Sequence, residues 1–453
     1  VSAREHEALR ARAAAAVTAV ARRLADPGTA DHPTPEVSPF RAASLSDGAP
    51  GIALLHAELG AAPGGDPAHR DAALRWVRRA AALTALAGKT PAPGPQGLYG
   101  PLAALSFALH RTADGPGAHG AARSHLREQV AELASTRAAR EERRLTEHPD
   151  AGSASSSGSG SGFTTFTAYD VISGQAGLGA HLLELGRPAE AALVRVLRAL
   201  VGLSRPVRTH DRGLPGWWVA LDGASYQPVA PARGHANLGM AHGMPGPLAL
   251  LAIAWREGVR VPGQRAAVTD LAQWLLARRC ADAAGPWWPG QLSLGPAQPE
   301  PGRPSWCYGT PGIARALQLA GLALEVPQWQ EAGVEALRAA LARADLDGPG
   351  RAGGAAEAGL CHGLAGLLQI TWRAARDSGD PELAERVPQL AARLLELLDE
   401  DAPFGFATAP GERPPEEHPG GFLTGAAGAA LALHTFARDA EPATRWDRAL
   451  LLA

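Results

Sequence analysis

His362-Gly363-Leu364-Ala365-Gly366 opens an Ala/Leu-rich stretch, and the same short glycine pattern stands at six other places in the chain. It reads Ser46-Asp47-Gly48-Ala49-Pro50-Gly51, then Leu98-Tyr99-Gly100-Pro101-Leu102-Ala103 in weakened form, then Ser173-Gly174-Gln175-Ala176-Gly177. His242-Gly243-Met244-Pro245-Gly246, Tyr308-Gly309-Thr310-Pro311-Gly312 and Thr424-Gly425-Ala426-Ala427-Gly428 complete the series. Between first glycines the period is irregular, roughly 52 to 74 residues. That is longer than most solenoid repeats and leaves room for one helical hairpin plus loops. Glycine permits the turn into a helix, and two small residues three apart let neighbouring backbones approach closely. Seven copies therefore predict seven helical pairs. Hairpins that bury their apolar faces on one another can close into a ring with no exposed terminal repeat.

The intervening sequence agrees with an all-α fold. Leu and Ala recur at helical spacing in Ile52 to Leu59, Leu248 to Trp255, Ala314 to Leu324 and Leu390 to Leu398. Gly/Pro-rich segments at Ala87 to Gly97, Ala284 to Pro304 and Asp401 to Gly421 separate such stretches. Strand signals are scarce, with aromatics at 5% and no series of alternating Val/Ile/Thr runs. Leu9 to Ala25 is apolar but interrupted by Arg10, Arg12, Arg22 and Arg23, which fits an amphipathic helix better than a signal peptide. The 453 residues are read as a single toroidal domain, 1–453, carrying a charged helix at 121–148 and a flexible Ser/Gly-rich loop at 149–163.

Composition narrows the function. With 46% apolar and 19% charged residues the chain is globular rather than disordered. Forty-three Lys+Arg against 45 Asp+Glu leave a formal charge of −2, without the basic footprint of a general nucleic-acid binder. No apolar run reaches the ~18 residues that span a bilayer. Three cysteines, Cys280, Cys307 and Cys361, make an odd count that argues against a disulfide framework and for a reducing cytoplasm.

In a closed ring, equivalent positions of successive repeats face one end of the central cavity. The residue before each first glycine reads Asp47, Tyr99, Ser173, His242, Tyr308, His362 and Thr424, and the one before that includes Cys307 and Cys361. Two thiolates and an imidazole are a ligand set for a catalytic zinc whose fourth position is left to water or substrate. Taken singly, each cysteine reads as a small buried hydrophobe. Their shared register in adjacent repeats favours a metal. His242 has the register of a general acid or base, or of a merely hydrogen-bonded imidazole. Asp170 could orient His242 or cap a helix. Arg303 could stabilise an oxyanion or extend to solvent, and Tyr308 could donate a hydrogen bond or form wall. Trp217-Trp218 and Trp287-Trp288 read as core or loop anchors.

Tyr169-Asp170-Val171-Ile172-Ser173-Gly174, Asn237-Leu238-Gly239-Met240-Ala241-His242-Gly243, Ser305-Trp306-Cys307-Tyr308-Gly309 and Gly359-Leu360-Cys361-His362-Gly363 together resemble the lanthionine synthetase C-like family, above all its class I lanthipeptide cyclases. The resemblance runs from about Ser44 to Phe436. It implies an α/α toroid of seven inner and seven outer helices with a zinc ion at one end. Cys307, Cys361 and His362 match the zinc ligands, and His242, Asp170, Arg303 and Tyr308 the acid/base and supporting residues. The implied reaction adds a cysteine thiol of a dehydrated precursor peptide across dehydroalanine or dehydrobutyrine. Dehydratase and transporter partners, and peripheral attachment to a membrane-bound complex, follow from the same resemblance.

The chain departs from the family where class I members insert a strand-containing extension, between the second and third motifs. Here 121–148 reads as a helical remnant of that extension, and the second motif is reduced to Gly-Pro-Leu-Ala. Two rival functions share the helical toroid. One is a non-catalytic member that holds zinc and binds glutathione or a peptide, for which an acid/base set has no evident use. The other is a prenyltransferase-like enzyme, whose zinc takes an Asp, a Cys and a His and whose diphosphate needs a basic pocket.

Overall fold

The computed structural model of the chain describes residues 3–30, 38–89, 96–112, 119–147, 163–208, 213–222, 227–230, 233–294, 300–344, 357–406 and 420–453. In chain order the helices are α1 (Ala3–Arg23), α2 (Pro27–Ala30), α3 (Pro39–Ala42), α4 (Ala49–Ala61), α5 (Pro67–Ala87), α6 (Pro101–Thr112), α7 (Gly120–Glu147), α8 (Phe166–Tyr169) and α9 (Gln175–Leu185). They continue with α10 (Glu190–Leu203), α11 (Pro245–Arg256), α12 (Gln264–Leu276), α13 (Thr310–Leu324), α14 (Pro327–Arg343), α15 (Leu364–Ser378), α16 (Pro381–Glu396) and α17 (Ala426–Arg438). Every glycine motif opens one of α4, α6, α9, α11, α13, α15 and α17. These seven pack side by side in that order, and α17 returns to α4, so the inner ring is closed.

Burial separates the two layers. Of the inner helices, α13 buries all its residues except Leu322. The outer helix α16 buries one stripe, Leu383, Val387, Leu390, Ala391, Leu394 and Leu395, at the spacing of an amphipathic helix. α5, α10, α12, α14 and α16 each follow and cover an inner helix. α7 lies in the outer layer against α6, α9 and α10. The seventh inner helix takes its cover from the other end of the sequence, since α1 packs on α17 and α16. The fold is thus an all-α toroid of seven inner and seven outer helices among the described residues.

Glycine is required at the motifs by crowding. A Cβ on Gly428 would lie 1.9 Å from the Phe422 carbonyl oxygen, and one on Gly366 would lie 2.1 Å from that of Leu360. Such contacts are prohibitive, so an inner helix whose incoming loop runs this close can start only with glycine there; α6, with Ala103 at that position, is the exception.

The incoming loops are themselves joined in a ring of backbone hydrogen bonds. The Leu45 amide donates to the Tyr99 carbonyl, Tyr99 to Ile172, Val171 to Ala241, Ala241 to Cys307, Cys307 to Cys361, Cys361 to Leu423 and Leu423 to Ser46, at 2.9–3.3 Å. Each repeat therefore holds the next within one residue of the same register position. Below this ring, the segment Trp446–Leu450 fills the lumen. The Tyr99 hydroxyl donates to Ala449 O at 3.0 Å, Trp306 Nε1 to Leu450 O at 3.0 Å, and Arg315 to Leu452 O.

Short strands lie outside the helical pattern: β1 (Val207–Arg208) pairs with β2 (Gly213–Leu214), β3 (His235–Asn237) with β6 (Gln291–Ser293), and β4 (Cys280–Asp282) with β5 (Gly285–Trp287), all antiparallel. Their two or three residues are too few to carry an alternating pattern, so they leave no periodic signal to read. Leu398, expected at the end of a helix, instead bridges to Phe406 after α16 has stopped at Glu396. The Ser/Gly-rich loop expected at 149–163 lies outside the described residues except for Phe163. No described helix is long and apolar enough to cross a membrane.

Candidate metal centre and active site

Cys307 and Cys361 stand within three residues of the starts of α13 and α15, and the Cys307 amide donates to the Cys361 carbonyl at 3.2 Å. That single backbone bond, between residues 54 positions apart, brings the two thiols and the His362 ring together. One donor atom from each of the three residues lies within 4.8 Å of the others. Ligands about 2.3 Å from a tetrahedral zinc are about 3.8 Å apart, so the set needs only a small contraction to hold such an ion. Two sulfur donors with one imidazole fit zinc better than a hard cation.

The electrostatics favour a thiolate at Cys307. A hydrogen bond from the Cys361 thiol holds Cys307 well below the usual thiol range, despite burial, and His362 and Ser305 add to the effect. The shared proton leaves Cys361 correspondingly high. His362 is raised, first by its hydrogen bond with Cys307. The N-termini of α13 and α15 also direct positive dipole ends at the sulfurs.

A second constellation stands at the neighbouring turn. Val171 donates its amide to Ala241 O, and this sets Asp170 beside His242. His242 Nδ1 lies 2.6 Å from Asp170 Oδ2, and the carboxylate is completely buried. The other carboxylate oxygen accepts the Ser173 amide at 2.6 Å. Asp170 thus joins the two alternatives read from sequence: one oxygen ties down the turn before α9, and the other faces the imidazole. The arrangement places the proton on Nδ1 and leaves Nε2 as the reactive nitrogen of a half-buried ring. His242 lies between the rings of Phe166 and Tyr308, with centroids 5.6 and 5.9 Å away.

Arg303 is exposed, as one of its two readings had it, but it does not stand alone. Its NH1 and NH2 donate to Glu357 Oε1 at 3.1 and 3.4 Å. The second oxygen of Glu357 is 2.8 Å from His362 Nε2. Tyr308 joins the two constellations, following Cys307 in the chain and stacking toward His242. Glu357 and Phe166 were not singled out in the sequence. Glu357 had a usable signal, because it stands six residues before its first glycine, as Arg303 does before Gly309. Phe166 had none. Cys280 is a free thiol in β4, and Trp217, Trp218, Trp287 and Trp288 are buried anchors, as read from sequence.

A closed ring of seven helical pairs, with two sulfurs and an imidazole gathered at one end where they could hold a metal ion, defines the class of helical toroid. The sequence profile described as "Lanthionine synthetase C-like protein" matches residues 39–451, and the chain belongs to that family. Among solved structures, one titled "Nisin cyclase" matches with a TM-score of 0.68 at 20% identity, over 91% of this chain and 93% of that one. At that identity the likeness is one of fold. No curated protein sequence matches the chain.

Proposed function

We propose that this protein is a zinc-dependent peptide cyclase that adds cysteine thiols to dehydroalanine or dehydrobutyrine within one peptide, forming lanthionine or methyllanthionine rings. The observation that carries the reading is the pairing of a Cys307–Cys361–His362 donor cluster with the Asp170–His242 pair, one repeat away, in a chain of this family. The family's own range includes non-catalytic zinc binders, and the acid/base pair is what speaks for catalysis. The donor set is two sulfurs and a nitrogen, unlike the Asp, Cys and His of the prenyltransferase-like alternative.

Cys307, Cys361 and His362 would hold the zinc, which when bound supplies a Lewis-acidic position where a thiol loses its proton at neutral pH. The remaining chemistry falls to the chain. In the addition a C–S bond forms, the alkene π bond is lost, and one proton moves from sulfur to the α-carbon. Mass is unchanged. His242, oriented by Asp170, carries a proton at Nε2 toward the α-carbon when protonated and receives one when neutral. Tyr308 and Phe166 exclude water on either side of the imidazole. Arg303, paired with Glu357, adds positive charge near the developing enolate. The substrate is a dehydrated precursor peptide made by a reaction that removes water from Ser and Thr. A dehydratase and a transporter are the fitting partners, in the cytoplasm and close to a membrane complex.

The test treats a dehydrated, cysteine-containing peptide with the zinc-loaded protein, alkylates remaining thiols and weighs the product. Loss of alkylatable thiols at unchanged peptide mass is expected. Stoichiometric zinc with every thiol still alkylated would identify a binder instead, and Cys361→Ala retaining full zinc would remove the ligand assignment.

A further inference from the structure

Arg303 and Glu357 occupy the same register position in adjacent repeats, six residues before Gly309 and Gly363. At that position the backbone runs tight against the motif. A Cβ on Gly309 would lie 2.4 Å from Arg303 O, and one on Gly363 would lie 2.3 Å from Glu357 O. Elsewhere in the ring the position holds Ala42, Ala168 and Asn237. Opposite charges thus appear only where the cysteines are, among the described residues. Glu357 is anchored at its backbone too, since its carbonyl accepts the Leu364 amide at 2.8 Å, where α15 begins. Cys361 and His362 lie inside the loop so closed.

The ion pair is poorly explained by stability. The Arg303 side chain is 41% exposed, and pairs of that kind add little to folding. What it does achieve is geometric. With Oε1 held by both terminal nitrogens of Arg303, the Glu357 carboxylate is turned so that Oε2 meets His362 Nε2. A histidine that ligates a metal through one nitrogen is commonly fixed by a carboxylate on the other, which sets the tautomer and the ring plane. Here Nε2 is engaged, so Nδ1 is the nitrogen left for the metal.

We propose that Glu357 is a positioning residue of the metal centre, holding His362 with Nδ1 toward the two sulfurs, and that Arg303 acts on the centre through Glu357. The proposal rests on the zinc reading above but concerns residues outside the ligand set. It reassigns part of what Arg303 does, from contact with substrate to orientation of a ligand.

Zinc affinity of the full chain, measured by competition with a chromophoric chelator, tests it. Glu357→Ala is expected to weaken zinc binding by roughly 10–100-fold. Glu357→Gln keeps an acceptor for Nε2–H and should restore most of that loss, a rescue that a bulk structural role would not produce. Arg303→Ala should weaken binding by a few fold, and Arg303→Ala with Glu357→Ala should bind no worse than Glu357→Ala alone. Zinc affinity of Glu357→Ala within twofold of wild type overturns the proposal. So does equal loss in the Gln and Ala variants. If wild-type protein binds no zinc, the metal reading and this proposal fall together. If wild type binds and Cys361→Ala does not, failure of the Glu357 variants to differ sinks this inference alone.

Discussion

Replacing Asp447 with alanine removes a carboxylate from the middle of the lumen. The residue is fully buried, and Oδ2 accepts from Arg373 Nε at 2.7 Å and Gln369 Nε2 at 2.8 Å, while Oδ1 accepts from Arg373 NH2 at 3.1 Å. Burial alone would push this carboxyl up, and the Arg373 guanidinium more than offsets it, leaving the group below its usual range. Once the carboxylate is gone, Arg373 retains Glu441, 3.4 Å away on a 70% exposed side chain, which compensates little. Breaking a buried pair in this way costs about 3–5 kcal/mol. With 453 residues, an unfolding entropy of about 2 cal/mol/K per residue gives roughly 1 kcal/mol/K, so the melting midpoint should fall by about 3–5 °C. The assay is scanning calorimetry at one fixed scan rate and pH 7. Because the folded-state pKa is depressed, the stabilisation is complete above the unfolded value of about 3.9 and is lost as pH falls through the folded value. The gap between wild type and variant should therefore hold from pH 7 to about 5 and close only in stronger acid. A double variant, Asp447→Leu with Arg373→Met, should recover much of the loss, since an apolar pair leaves no buried charge behind. A melting midpoint for Asp447→Ala within 1 °C of wild type would refute the view that this pair ties Trp446–Leu450 into the ring.

Two other outcomes follow from the same geometry. Asp170→Asn leaves the Ser173 amide satisfied but presents an amide N–H to His242 Nδ1. The imidazole proton then moves to Nε2 and the ring can no longer accept one there. Loss of a charge-assisted hydrogen bond of about 1.5–3 kcal/mol predicts a cyclisation rate lower by roughly 10–150-fold, with zinc content unchanged, in a single-turnover alkylation assay. Wild-type turnover would exclude the pair from the mechanism. Where the inner helix α4 meets the outer layer, burial and the neighbouring His69 depress His56 to about 4. It contacts Leu24 O at 2.9 Å and His69 Nδ1 at 3.0 Å. The unfolded value is about 6.5, so the unfolded chain binds the proton first, and stability present above pH 6.5 is lost as pH falls toward 4, by about 2 kcal/mol at pH 5. Calorimetry from pH 7 to 5 should show the midpoint dropping, and His56→Gln should flatten part of the drop.

How much of this was legible in sequence follows from what a register can encode. The glycine spacing gave the ring, and the ring gave Cys307, Cys361, His362 and His242 a common end of the cavity, because equivalent positions must face alike. Register does not say which side chains pair across adjacent repeats. Arg303 therefore read as an oxyanion donor or a solvent-facing cation, when its partner Glu357 stood in the same position one repeat on. Trp446–Leu450 left no repeat signature at all. Beside the Asp447 carboxylate, it is tied in through carbonyls at Ala449 and Leu450, and just beyond it at Leu452, that side chains from the ring reach, and backbone acceptors have no sequence identity. The two kinds of information meet at Trp306. Its indole donates to Leu450 in the lumen, while the next residue, Cys307, bonds Cys361 and Ala241 in the ring of loops. The lumen segment thus fixes the floor on which Cys307 stands, and the neighbouring repeats fix its sides. A site made of short turns in seven separate repeats can be rigid because every turn is held by the ones on either side.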